Sequence, residues 1–331
     1  MQIQLTKVHG SENDFFILDE TLLERRLIEE ELIQLTKVLT NRQTGLLNGA
    51  DGVLLVGATD HPEATAKMRV INNDGSEASM CGNGLRTVAR YLSEKNKLDY
   101  FKVETLHADL VVQTAEEIGK NVATFQVEIS PVSLHTSTLP LNIAEDTMIN
   151  QPFPELAEGL LFSAVAVPNP HLISFVDHET LNGPLLEKIA MFVNGKNPYF
   201  PDGVNVSFVE VLGKNQIFVR TYERGVGFTN ACGTAMSASS LMYVLLKDGE
   251  FDKKISVYNP GGMVQTLVHQ DQEDNYWMEL IGNATFVQKL ELSLEDGLAG
   301  EFSDVEVQML NENDAYQEFV KVVQESLVHT D

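Results

Sequence analysis

Met80-Cys81-Gly82-Asn83-Gly84 leads into one run of apolar residues at helical spacing, and Ala231-Cys232-Gly233-Thr234-Ala235 leads into another, 151 residues further on. The same offset carries Asp51-Gly52-Val53 onto Asp202-Gly203-Val204 and Arg69 onto Arg220. An unbroken registration of three separate motifs points to an internal duplication rather than to chance among common turn residues. Around these anchors, residues 53–56, 68–71, 204–211 and 217–222 are β-branched or apolar runs bounded by Gly, Asp and Asn, which read as strands. Residues 84–95 and 234–246 read as helices, with further helices over 22–40 and 185–193. Each cysteine therefore sits just before a helix.

This pattern predicts an α+β fold of two pseudo-symmetric domains with the same topology. Each is expected to be a mostly antiparallel sheet wrapped around a central helix, with the active site in the cleft between them; a Rossmann sheet fits less well. The expected boundaries are 1–135 for the domain carrying Cys81 and 136–290 for the domain carrying Cys232, with the Pro-, Thr-, Asn- and Ser-rich stretch 131–159 as the crossing segment. Residues 291–331 form an acidic C-terminal extension in which Tyr316, Phe319, Val320, Val323 and Leu327 make an apolar helical stripe. A docked helix with a solvated acidic face accounts for that stripe, and a partner-binding appendage is the alternative.

The 331 residues carry 48 acidic and 23 basic side chains, a formal charge of -25. That excess repels phosphate backbones and anionic membrane surfaces, so neither nucleic acid nor membrane is expected as a partner. No apolar run has the length of a signal peptide or a membrane span, and a cytoplasmic location is the default. Two cysteines exclude a disulfide framework, and the eight histidines show no metal-ligand spacing, so no metal is expected.

A helix start concentrates positive potential and backbone N–H groups, which lower a cysteine's pKa and bind carboxylates. Gly82, Asn83 and Gly84 after the first cysteine, and Gly233 and Thr234 after the second, let an anion approach the backbone. Two such cysteines suit a reaction at one carbon approached from two faces. Inversion removes the α-proton on one side and delivers a proton on the other, which a thiolate and a thiol accomplish without a redox step. A lone cysteine is more often a small core residue; two in matching settings are not. The Gly82-x-Gly84 and Gly225-x-Gly227 patterns are too short for a dinucleotide fingerprint.

The motifs Asn72-Asn73-Asp74-Gly75-Ser76-Glu77, Met80-Cys81-Gly82-Asn83-Gly84, Tyr222-Glu223-Arg224-Gly225-Val226-Gly227 and Ala231-Cys232-Gly233-Thr234 together resemble diaminopimelate epimerases. The likeness extends through His9-Gly10, Asn13-Asp14-Phe15, Asn169-Pro170-His171, Val204-Asn205-Val206 and Gly261-Gly262. It implies an isomerase with no cofactor and a small amino-acid substrate, interconverting L,L- and meso-diaminopimelate in lysine and cell-wall precursor biosynthesis, as a homodimer. By the same resemblance, Cys81 donates and Cys232 accepts the proton in the L,L to meso direction. Asn13, Asn72, Asn169, Asn205, Glu223 and Arg224 then hold the substrate's amino-acid groups, Gly82, Asn83, Gly233 and Thr234 bind carboxylate at the helix starts, and His171 and Glu223 tune the thiols.

The chain departs from the family pattern at Glu12, where a Gly is usual, and at Phe228, Pro168 and Ala235. Alternatives are a related two-cysteine racemase for another amino acid, a non-catalytic amino-acid binding protein, and a cysteine hydrolase pairing one thiol with His171. Asn83 argues against a proline-type racemase, and the second thiol argues against the last two readings.

Overall fold

A computed structural model of the chain describes residues 1–328, which divide into two compact units: Met1–Val127 together with the chain from Gly282 onward, and Glu128–Ile281. In the first unit, Gln2–Gly10 and Asn13–Asp19 form a hairpin whose second strand lies parallel to Gly52–Gly57. Gly52–Gly57 pairs antiparallel with Ala64–Asn72, which lies parallel to Tyr100–Glu104. Asp109–Thr114 and Thr124–Ile129 follow antiparallel. Between Ala64–Asn72 and Tyr100–Glu104 the chain forms the helix Gly82–Asn96, in which Leu85, Val88 and Ala89 have no solvent exposure.

The second unit runs through the same sequence of pairings. Leu161–Ala166 and Pro170–Phe175 form the hairpin, and Asn205–Gly213 lies parallel to its second strand. Gln216–Glu223 is antiparallel to Asn205–Gly213 and parallel to Ile255–Asn259, and Gly262–Gln270 and Tyr276–Asn283 complete the sheet. The helix Gly233–Leu246 takes the place of Gly82–Asn96 and is buried continuously from Gly233 to Val244. Its Ala-, Ser- and Met-rich sequence is what a helix enclosed on every side requires, since no face needs to be polar. Identical strand order in the two units is the topology that duplication predicts.

Two expectations are corrected. The helix read over 22–40 begins only at Glu29; Glu20–Leu22 is a single 3-10 turn. The Glu31 carboxylate accepts the Ile28 N–H at 3.1 Å and is itself held by both terminal nitrogens of Arg25, which sets the start seven residues late. Apolar spacing alone cannot see such a cap.

The second correction concerns residues 282–290, expected to close the second domain. Thr285–Ser293 instead pairs antiparallel with Gln2–Gly10, from His9 opposite Thr285 to Gln2 opposite Ser293. Glu306–Met309 adds a further strand beyond it. The helix Asn313–Val328 docks through buried Tyr316, Phe319, Val320 and Val323, with the Tyr316 ring edge-on to His9 at 4.8 Å. The apolar stripe is thus spent on packing within the chain. Among the described residues no helix is long and apolar enough to cross a membrane.

Candidate active site

Cys81 and Cys232 each occupy the N-cap position of a helix, with extended backbone at φ -144° and -110°. The matched placement follows from the local sequence. The glycine after each cysteine is the first residue of its helix, and in the first unit a Cβ on Gly84 would meet the Leu54 side chain at 2.8 Å and the Cys81 sulfur at 3.4 Å. Beyond that the two surroundings differ.

In the first unit the Cys81 Sγ accepts the Gly84 N–H at 3.3 Å and lies 3.6 Å from Asn13 Oδ1. Asn13 opens its strand directly after the Ser11-Glu12 turn, both of whose residues have positive φ, 54° and 66°. That is a two-residue hairpin turn of the kind that favours Gly or Asn, which explains why glycine is the expected residue at position 12. Asn83 is buried, and its Nδ2 donates to Asn13 Oδ1 at 3.3 Å. Asn72 ends its strand with Nδ2 on Ser76 Oγ at 3.0 Å. Asn13, Asn83 and Cys81 are therefore brought into one cluster, and Asn72 is held separately by its turn.

In the second unit Cys232 is buried, and its thiol pKa is pushed well above the ordinary value, first by burial and then by the nearby Glu223 carboxylate, which stands within hydrogen-bonding reach of the thiol. Thr234, with its hydroxyl 3.5 Å away, and the Ala235 N–H oppose that rise by stabilising the thiolate. The lowered pKa expected from a helix start alone does not hold here: desolvation outweighs the helix terminus. Asn169 Nδ2 donates to Thr234 Oγ1 at 3.2 Å, and His171 Nε2 lies 3.1 Å from both Asn169 Oδ1 and Thr234 Oγ1. Because Asn169 presents an acceptor, the proton of the imidazole belongs on Nε2. Burial, assisted by the Arg224 charge, holds the His171 pKa down at about 3, so the ring is neutral. His171 reaches the thiol through Thr234.

Asn205 Oδ1 accepts the Arg224 N–H at 2.8 Å, and Arg224 Nη1 donates to Asp202 O at 2.8 Å. Glu223, the last residue of its strand, thus directs its carboxylate to Cys232 while the next residue is tied to Asn205. Gly233 and Thr234 form the buried first turn after Cys232, as Gly82 and Asn83 do after Cys81. Of the departures, Phe228 packs edge-on against Tyr222 at 5.2 Å beneath the Arg220 guanidinium.

Two groups went unread in the sequence. Asp51, visible there only as a marker of the repeat, accepts Asn13 Nδ2 at 2.6 Å. Arg86 is fully buried and donates to Asn83 Oδ1, Ser11 Oγ and Asn283 O at 3.0–3.1 Å. Its signal was present: an arginine three residues after Asn83 lies on the helix face that also carries Asn83. Among the described residues no group of three His, Cys, Asp or Glu could hold a metal ion.

Comparison with known proteins follows the same outline. The family model described as diaminopimelate epimerase matches residues 5–133 and 163–287, one stretch in each half of the chain. A diaminopimelate epimerase of Enterococcus faecalis (strain ATCC 700802 / V583) is 60% identical over 323 residues, covering 98% of this chain and 99% of the relative. One from Ligilactobacillus salivarius (strain UCC118) is 58% identical over 321 residues, covering 96% and 98%. The crystal structure of a probable proline racemase from Agrobacterium radiobacter K84 superposes with a TM-score of 0.61 at 15% identity, covering 97% of this chain and 100% of that one, a likeness of fold. The segment after residue 290 lies outside the family model, yet the Enterococcus alignment is too long to omit it.

Proposed function

The chain belongs to the diaminopimelate epimerase family and is an isomerase that epimerises diaminopimelate; from that premise we propose that Cys232 and Cys81 move the proton, with no cofactor. The observation that carries this reading is the chemical inequivalence of two thiols at equivalent positions of duplicated units. Cys232 has a carboxylate, Glu223, placed to take its proton, and a hydroxyl and an N–H to stabilise the thiolate that results. Cys81 has an amide oxygen facing its sulfur, which favours the S–H form, and the Gly84 N–H to receive the charge once that proton has left.

In the L,L to meso direction the Cys232 thiolate takes the α-proton and becomes a thiol, while the Cys81 thiol delivers its proton to the opposite face and becomes a thiolate. The electron pair of the broken C–H bond is held meanwhile by the substrate carboxylate, to which the helix-start N–H groups of Gly82, Asn83, Gly233 and Thr234 donate hydrogen bonds. Return to the starting protonation state exchanges both thiols with solvent. Asn13, Asn72, Asn169, Asn205, Glu223 and Arg224 supply the polar groups that hold the substrate, and His171, neutral, orients Thr234. The homodimer and cytoplasmic location implied by the resemblance belong to this proposal.

The test is incubation of reduced, chelator-treated protein with L,L-diaminopimelate in D2O, with α-hydrogen loss followed by NMR and stereochemistry by chiral chromatography. Deuterium enters the meso product without added pyridoxal phosphate or metal. Cys81→Ala and Cys232→Ala each lose at least roughly a hundredfold in turnover, the span of one acid or base. Substantial epimerisation by either variant overturns the two-thiol mechanism.

A further inference from the structure

Among the described residues Arg86 is a buried cation without a carboxylate partner, and Asp51 is a carboxylate whose Oδ2 accepts from Asn13 Nδ2 and the Asp14 N–H. Between them lie two side-chain amides in line: Arg86 Nη1 to Asn83 Oδ1 at 3.0 Å, Asn83 Nδ2 to Asn13 Oδ1 at 3.3 Å, and Asn13 Nδ2 to Asp51 Oδ2 at 2.6 Å. A guanidinium only donates and an ionised carboxylate only accepts. Each end therefore dictates the orientation of the amide beside it, and both ends dictate the same orientation of the pair. The consequence reaches the sulfur, because the atom that Asn13 turns toward Cys81 is its oxygen, 3.6 Å away.

We propose that Asp51 and Arg86 are positioning residues that lock the Asn13–Asn83 relay with an acceptor toward Cys81, keeping this cysteine protonated and so making it the acid of the pair. An amide turned the other way would point its NH2 at the sulfur and favour the thiolate. The Arg42 guanidinium holds the far side of Asp51, with Nη2 on Oδ1 at 2.5 Å, so the carboxylate is itself fixed. Burial draws the Arg86 pKa down to about 10, with the nearby Tyr316 and Cys81 opposing, which leaves it charged and donor-only at neutral pH. This inference rests on the assignment of Cys81 as acid, and its test reads the thiol itself, without turnover.

Either end alone suffices to hold the amides, so the single variants and the double variant separate the lock from simple electrostatics. Removing the negative charge in Asp51→Asn lowers the Cys81 alkylation midpoint, and removing the positive charge in Arg86→Met raises it, each modestly. With iodoacetamide and mass spectrometry read at both cysteines from pH 6 to 10, charge effects alone make the double variant fall at the sum of the two singles. The lock predicts a further fall of about one pH unit, a tenfold gain in thiolate, because only then are both amides free to turn. The Cys232 profile, in the other unit, stays unchanged and reports an intact fold.

An additive double variant overturns the proposal. Should that variant not fold, through-hydrogen-bond NMR couplings in the unaltered protein decide: a coupling from Asn83 Nδ2 to the Asn13 carbonyl and another from Asn13 Nδ2 to the Asp51 carboxylate are expected, and the absence of either overturns it. If the lock holds while the Cys81→Ala variant still turns over, the assignment of the acid fails and the lock survives.

Discussion

At the scale of single residues, the two cysteines were legible from their spacing, and their difference was not. Spacing reports that both stand at helix starts; it does not report that one is enclosed with a carboxylate while the other meets an amide oxygen. His171 shows the same limit, since nothing local in Asn169-Pro170-His171 says that its ring has no solvent exposure. Its pKa, about 3 in the folded chain against an ordinary value of 6.5, has a definite sign in stability. Between those values the unfolded chain binds a proton that the folded chain refuses. The stabilisation is therefore complete above pH 6.5 and declines as pH falls toward 3, by up to roughly 1.4 kcal/mol for each pH unit. Urea unfolding from pH 7 to pH 4 is expected to show a steeper loss for the unaltered protein than for His171→Gln. Parallel slopes would mean that the imidazole accepts its proton without unfolding.

At the scale of elements, strands and helices were read well wherever a run of apolar residues was itself the determinant, as in Gly52–Gly57 or Gly233–Leu246. They were read poorly where a polar side chain sets the end, as Glu31 does. Contacts between elements left almost no local trace. Gly10 is an instance: a Cβ there would meet the Asn83 carbonyl oxygen at 2.7 Å and the Arg86 guanidinium at 3.0 Å. The backbone atom cannot swing aside, so the strand Gln2–Gly10 and the start of the Cys81 helix must separate. Gly10→Ala is expected to cost about 1–3 kcal/mol, the range for overpacking a close contact. It is also expected to reduce turnover, because the displaced residue is Asn83. A variant with unaltered urea midpoint and turnover would show that this contact gives way freely.

At the scale of the whole molecule, duplication was the most legible feature, because it repeats motifs at a fixed offset, while the destination of the C-terminal segment was the least. A long-range strand pairing such as that of Thr285–Ser293 with Gln2–Gly10 is a relation between the two ends of the chain, and no window of sequence contains it. The docked helix Asn313–Val328 then reaches the hairpin that carries Asn13. Asn313 Oδ1 meets His9 Nε2 at 3.0 Å, Gln317 Nε2 donates to Glu12 Oε1 at 3.2 Å, and Glu312 binds Arg90 through both oxygens. Tyr316 is the central contact, 1% exposed and edge-on to His9. Tyr316→Ala is expected to cost roughly 3 kcal/mol, as truncation of a buried aromatic does. Hydrogen–deuterium exchange read peptide by peptide locates the loss. Protection should fall in Gln2–Asp19 and in the Cys81 helix, while peptides from Leu161–Glu223 keep theirs. Turnover should fall with the first group, since the turn that positions Asn13 is then held from one side only. Unchanged protection across Gln2–Asp19 would mean that the C-terminal helix covers this unit without bracing its active-site turn.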